Sequence, residues 1–209
     1  MEIKKYSPEY HEGWLRCRVL AYLHTSMYED VVTSKPTFNG RPAIELIAVE
    51  NGEVIGILDM VLDNAEQKTS LLGDGLGAFL QVIAVHPDHQ SKGIGKRLYE
   101  EAVKQLQGTE IEFIELYTRD DEQANNFYKK LGFEMLLETY DVFGIEKGVR
   151  GDVFVKGIED KTLLVDDEAG EKCDYLLVDG VYQVFTKEAL EKIDYDRYYP
   201  ARGYYKSLV

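Results

Sequence analysis

The stretch from Phe79 to Leu106 constrains this chain most. It runs FLQVIAV, then HPDHQSK, then GIGKRLYEEAVKQL: an apolar run, a short polar loop, and a segment that opens on glycines. Phe79 to Val85 is nearly unbroken in apolar and β-branched residues, which predicts a strand buried on both faces. His86 and Pro87 end it, because proline has no N–H to continue a ladder. Ile94, Leu98, Ala102 and Leu106 then recur at i, i+4 spacing and define one helical face. Gly93 and Gly95 stand where that helix begins. Glycine there permits positive φ and lets a bulky ligand come close to the backbone. The first N–H groups of a helix have no partners within it and carry the positive end of its dipole, so they suit a phosphate. Lys92, Lys96 and Arg97 add positive charge at the same place, in a chain of formal net charge −14.

Two nucleotide-binding patterns fail on this loop. A Walker loop needs Gly-x-x-x-x-Gly-Lys-Ser/Thr, which is absent, and a dinucleotide fingerprint needs a small residue where Leu98 stands. A second glycine cluster, Gly73 to Ala78, matches the dinucleotide fingerprint by count. It leads into a strand instead of following one and opening a helix, so it reads as a bulged lead-in to the central strand. Gln90, Ser91, Lys92, Gly93, Ile94 and Gly95 do satisfy Gln/Arg-x-x-Gly-x-Gly/Ala. Preceded by VIAVHP, this loop resembles the coenzyme A pyrophosphate loop of the GNAT superfamily of N-acetyltransferases. The plain alternative is a tight strand-to-helix turn with no ligand.

A second motif lies about 30 residues on: Ala124-x-x-Phe127-Tyr128-x-x-Leu131-Gly132-Phe133. It is similar to the C-terminal motif of the same superfamily, in the order and at the distance the family has it. The resemblance covers roughly residues 1 to 140. It implies an α/β fold: a mixed, mostly antiparallel GNAT-like sheet flanked by helices. The reading is of an acetyltransferase domain over 1–143 and a β-rich extension or small subdomain, of unassigned role, over 144–209.

The chain in order fits that frame. Glu2 to Lys5 is a short strand, and Ser7-Pro8-Glu9 a helix start, with apolar residues at helical spacing as far as Tyr28. Val31 to Arg41 is a polar loop of the kind that, in this fold class, often lies over a substrate. Ile44 to Val49 and Val54 to Leu62 flank Asn51-Gly52, a strong hairpin signal. Ile111 to Thr118 is a strand, Asp120 to Leu131 a helix closed by Gly132, and Phe133 to Tyr140 another strand. Beyond Gly144, Asp152 to Val155 and Thr162 to Val165 are short strands, Tyr175 to Phe185 a hairpin around Asp179-Gly180, and Lys187 to Ile193 a short helix. The tyrosine-rich tail reads as packing surface.

The resemblance implies a particular site. The co-substrate is acetyl-CoA, held between two strands that splay apart. The backbone of Ile83, Ala84 and Val85 pairs with its pantetheine arm like an added strand. Gln90, Ser91, Lys92, Gly93, Ile94, Gly95 and Lys96 hold the pyrophosphate, and Asn125 and Phe127 flank the arm. The Val85 N–H serves as oxyanion donor. Tyr128 protonates the leaving thiolate or donates a hydrogen bond to it, the full transfer from a phenol to a thiol being uphill by about 2 kcal/mol. Family members commonly carry asparagine where this chain has Asp121.

Other features bound the function. A thioester is attacked directly by an amine, and the chain has no Gly-x-Ser-x-Gly elbow and no cysteine beside a histidine. Glu112 and Glu115 alternate across their strand, so at most one faces a site. His86 and His89 lack a third metal ligand in reach, and no metal is assigned. The acidic balance argues against nucleic acid and is compatible with a cationic amine. Two lone cysteines, Cys17 and Cys173, with no apolar leader and no membrane-spanning run, predict a cytoplasmic protein with no membrane partner. An edge strand or the tyrosine tail would serve a homodimer. The reading is therefore an N-acetyltransferase acting on a small-molecule or peptide amine. Its alternative is a non-catalytic acyl-CoA sensor or interaction module on the same fold.

Overall fold

A computed structural model describes residues 1–147, 152–178 and 180–209. The chain forms two compact units: Met1–Leu116 with Lys206–Val209, and Tyr117–Tyr205.

The first unit is built on a sheet of five strands in the order β1 (Glu2–Lys5), β2 (Ala43–Glu50), β3 (Glu53–Leu62), β4 (Leu76–Val85) and β5 (Ile111–Arg119), whose last residues pass into the second unit. The first three pairings are antiparallel and β4–β5 is parallel. Asn51 and Gly52 both take positive φ, 52° and 85°, as a two-residue hairpin turn requires. Helix α1 (His11–Tyr22) packs Trp14 and Cys17 against Ile47, Ile57, Val82 and Ala84. It is shorter than its apolar spacing suggests. Thr25 takes the Tyr22 carbonyl with both its N–H (3.0 Å) and its hydroxyl (2.9 Å), which turns the chain away. Ser7 makes no cap; its hydroxyl donates to Glu9, and Pro8–Tyr10 is a 3₁₀ turn.

Helix α2 (Ile94–Leu106) buries Ile94, Leu98, Ala102 and Leu106, the face read from the sequence, together with Tyr99. It lies close on β3 at Gly56, where an added Cβ would meet Ile94 Cγ2 at 2.9 Å and Leu98 Cδ1 at 3.0 Å.

In the second unit, α3 (Glu122–Lys130) is followed by β6 (Glu134–Glu146). Next come β7 (Val153–Glu159), β8 (Thr162–Asp167), β9 (Lys172–Cys173), β10 (Tyr175–Val178), β11 (Val181–Val184) and β12 (Ile193–Ser207). Strands β12, β6, β11 and β10 are neighbours in that order, all antiparallel, and β7–β8–β9 form a separate small sheet. The fold class is thus the mixed, mostly antiparallel one with extra C-terminal strands. The compositional change at residue 144 falls inside β6, which pairs along its length with the tail strand β12. Of the Asp179-Gly180 turn, Asp179 lies outside the described residues; Gly180 has φ 82°. The helix expected over Lys187 to Ile193 is a 3₁₀ segment, Glu188–Lys192.

No helix among the described residues is long and apolar enough to cross a membrane.

Candidate functional site

The central strand opens at its C-terminal half. The parallel ladder of β4 with β5 runs from Leu76↔Ile111 to Phe79↔Glu115, and among the described residues it goes no further. Two residues beyond, Gln81 is passed over in the pairing with β3, since Leu80 faces Met60 and Val82 faces Asp59. Such a bulge bends a strand and sharpens its twist.

The hydrogen-bond phase then decides which peptide groups are offered at the opened edge. His86 N–H donates to Ile55 O at 3.0 Å, which makes that pair a bonded one. Antiparallel pairs alternate between bonded and non-bonded. In the register Val85↔Gly56, Ala84↔Ile57 and Ile83↔Leu58, Ala84 therefore bonds β3, while Ile83 and Val85 turn their N–H and C=O groups to the opposite edge. Gln90 Nε2 already donates to the Val85 carbonyl at 3.3 Å, which leaves the Val85 N–H outward.

The loop that follows is held by its own side chains. His86 Nδ1 accepts the Asp88 N–H, and the Lys92 ammonium donates to the Asp88 carbonyl at 3.0 Å. Ser91 (φ 60°) and Gly93 (φ 77°) take left-handed backbone and swing the chain into α2, with Gly93 as its N-cap. A Cβ on Gly93 would meet nothing within 4 Å, so open space lies where the helix presents its first N–H groups. Lys96 reaches along the helix to Glu100 at 3.6 Å. All the residues of the expected pyrophosphate loop thus share one turn beside the open end of β4.

The remaining expected site residues lie on α3. Asp121 is its N-cap, its carboxylate accepting the Ala124 N–H. That gives the departure from asparagine a physical role, since a carboxylate at a helix N-terminus is favoured by the dipole. Asn125 is buried, and its amide is engaged inside the protein: Nδ2 donates to the Arg119 and Asp121 carbonyls, both at 2.7 Å, and Oδ1 accepts from the Tyr204 hydroxyl at 2.8 Å. Gly132, at φ 84°, closes the helix. Its N–H bonds the Lys129 carbonyl and the Phe133 N–H bonds the Tyr128 carbonyl, a Schellman closure with Phe133 stacked edge-on to Tyr128. The Leu-Gly-Phe of the motif thereby sets the position of Tyr128, which is buried between Phe127, Phe133 and Tyr204.

The acids on β5 are accounted for. Glu112 is exposed, whereas Glu115 is buried and accepts the Leu71 and Leu72 N–H groups at 2.9 and 2.7 Å. Burial raises the Glu115 carboxyl against the pull of those two donors. Asp63 accepts N–H groups from Thr69, Ser70 and Gly77, which together outweigh its burial and hold it below the usual carboxylate range. These two acids tie down the glycine-rich lead-in, a role the sequence did not signal. Cys17 is free and buried, its thiol pushed up to about 12 by that burial against a backbone hydrogen bond from His86, and so is a poor nucleophile.

Comparison with known proteins agrees with this architecture. The model of the acetyltransferase (GNAT) family matches residues 4–133. An uncharacterized N-acetyltransferase, ycf52, of Porphyra purpurea is 32% identical over 94 residues, which are 42% of this chain and 51% of that protein. The chain thus spans about half the length of the curated relatives it matches. Among solved structures, smu.2055 of Streptococcus mutans UA159 superposes with a TM-score of 0.54 at 15% identity, covering all of both chains. The PaiA N-acetyltransferase of Thermoplasma acidophilum, solved with coenzyme A, does so with a TM-score of 0.50 at 17% identity, over 78% of this chain and 96% of its own.

Proposed function

The chain belongs to the GNAT acetyltransferase family, and on that premise we propose that it moves the acetyl group of acetyl-CoA directly to an amine of a small-molecule or peptide acceptor. The observation that carries the reading is the edge of β4: its ladder with β5 ends at Phe79, and the Ile83 and Val85 peptide groups face outward just before a glycine-opened helix.

Acetyl-CoA fits the residues present. The open peptide edge at Ile83 and Val85 takes the amides of the pantetheine arm as a strand would. The turn from Gln90 to Lys96 takes the pyrophosphate on helix N–H groups, with open space over Gly93 and with Lys92, Lys96 and Arg97 for charge. When bound, acetyl-CoA supplies a thioester that a neutral amine attacks without help from a protein nucleophile. The Val85 N–H donates to the carbonyl oxygen as negative charge gathers there. The Tyr128 hydroxyl gives a proton or a hydrogen bond to the departing sulfur. Phe127 lines the arm. Asn125, its amide engaged by three protein groups, shapes α3 and has one carbonyl lone pair left for a ligand.

The test is release of free CoA from acetyl-CoA in the presence of a panel of amines. Release above the hydrolysis background with at least one amine supports the transferase. A protein that binds acetyl-CoA yet releases no CoA with any amine is the acyl-CoA-binding module.

A further inference from the structure

Lysine 35 is buried in a cage. It lies in the irregular loop between α1 and β2, and its side chain is 4% exposed. Its ammonium stands 4.9 Å from the centre of the Tyr6 ring, 5.3 Å from Trp14 and 5.0 Å from Phe38, all within cation–π range. Two carboxylates close the cage, Glu45 at 2.5 Å and Asp59 at 3.1 Å. Asp59 is 1% exposed, and neither of its oxygens is in a well-formed hydrogen bond. A carboxylate buried in this way keeps an unfilled demand for donors.

Three rings and two carboxylates around one ammonium are the chemistry that recognises an alkylammonium ion. The cage also has a fixed place. Asp59 pairs with Val82, three residues before Val85 on β4, or about 10 Å along the strand. An amine that attacks a thioester must be neutral, whereas this cage favours the charged form. It therefore suits an amine that does not react.

We propose that the Tyr6–Trp14–Phe38–Glu45–Asp59 cage anchors the non-reacting ammonium of an acceptor with two cationic amines, and that Lys35 occupies it as a stand-in until such an acceptor displaces it. The proposal rests on the acetyltransferase reading and narrows its acceptor to a diamine or polyamine. Loop residues supply both the stand-in, Lys35, and one cage wall, Phe38. Displacement of Lys35 thus loosens the loop at the moment the acceptor arrives.

Trp14 is the only tryptophan of the chain and reports on the cage directly. Its fluorescence is titrated with 1,4-diaminobutane in the absence of acetyl-CoA. Lys35→Ala is expected to bind the diamine at least tenfold more tightly than the native protein, and adding Asp59→Asn to that variant is expected to abolish the gain. Equal affinity of native and Lys35→Ala proteins, or a gain indifferent to Asp59, overturns the proposal and makes Lys35 a pin for the loop. Should Lys35→Ala not fold, the native protein decides by hydrogen exchange: faster exchange across 31–42 at saturating diamine sustains the proposal, and unchanged exchange overturns it. Because the titration needs no acetyl-CoA, the two readings fail separately. Diamine in the cage without acetyl transfer removes the enzyme and keeps the anchor. Acetyl transfer with no cage binding removes the anchor and keeps the enzyme.

Discussion

The Tyr204 hydroxyl donates to Asn125 Oδ1 at 2.8 Å, joining the tail strand β12 to the helix that carries Tyr128. Tyr204 is fully buried and also packs its ring 5.9 Å from that of Tyr128. Tyr204→Phe keeps the ring and removes the donor. It is expected to destabilise the protein by about 1–2 kcal/mol, the cost of an orphaned buried carbonyl oxygen. Asn125→Leu removes the Nδ2 donor shared by the Arg119 and Asp121 carbonyls, the latter keeping the Asn125 backbone N–H, and also removes the acceptor of the buried Tyr204 hydroxyl. It is expected to cost more, about 2–4 kcal/mol. Urea unfolding midpoints of the two variants provide the check, with the order of the two costs as the decisive point.

Gly93 separates backbone strain from ligand exclusion. Its φ of 77° penalises any side chain, but no atom lies within 4 Å of an added Cβ. Gly93→Ala is therefore expected to cost about 1 kcal/mol of stability and to retain acetyl-CoA binding. Gly93→Glu pays the same strain and adds a negative charge where the pyrophosphate is placed. Calorimetric titration with acetyl-CoA is expected to show a loss of at least a hundredfold for glutamate and little change for alanine. Equal losses would put the effect in the turn alone.

Tyr128→Phe distinguishes the enzyme from a binding module. The ring contacts with Phe127, Phe133 and Tyr204 survive the change, so folding and cofactor affinity should hold. A group acting as proton donor to sulfur is worth about 10²–10⁴ in rate. The expected result is a fall in kcat of that order with an unchanged Kd for acetyl-CoA. An unaltered kcat would remove Tyr128 from the chemistry.

Asp59 predicts a pH dependence of stability. Burial raises its carboxyl from 3.8 to about 6, against the pull of Lys35 and Arg18 and with Glu45 adding to the rise. A carboxyl whose folded value is raised binds its proton more tightly in the folded state. Its contribution is complete below pH about 4 and is lost as pH rises through about 6, a change on the order of 3 kcal/mol. Asp59→Asn is expected to flatten the stability profile between pH 4 and 6 by that amount. Thermal melts of both proteins across that range measure it; parallel profiles would show that Asp59 ionises normally.

What could be read in advance follows physical locality. The strand, loop and helix over 79–106 are specified by neighbours in the chain: a β-branched run, a proline stop, glycines with positive φ, and an apolar face at helical spacing. The hairpin at Asn51-Gly52 and the closure at Gly132 are likewise local choices of backbone region. The tail strand β12 was not legible. Pro200 and runs of tyrosine and aspartate obscure any alternation, and only the long pairing with β6 shows the strand. The end of α1 at Tyr22 was equally hidden, since Leu23 and Met27 keep the helical spacing while Thr25 takes the closing carbonyl.

By itself the sequence determined the family, the glycine-opened helix beside the central strand, and the placement of Tyr128 two elements later, because short-range spacing carries all three. Tertiary structure alone decided where the β4–β5 ladder stops, that Val85 and Ile83 face outward while Ala84 faces β3, and that a loop lysine sits among three rings and two acids. Pairing phase and the burial of a charge depend on partners distant in the chain. The residues of the Lys35 cage, spread from Tyr6 to Asp59, share no spacing by which a sequence could announce them.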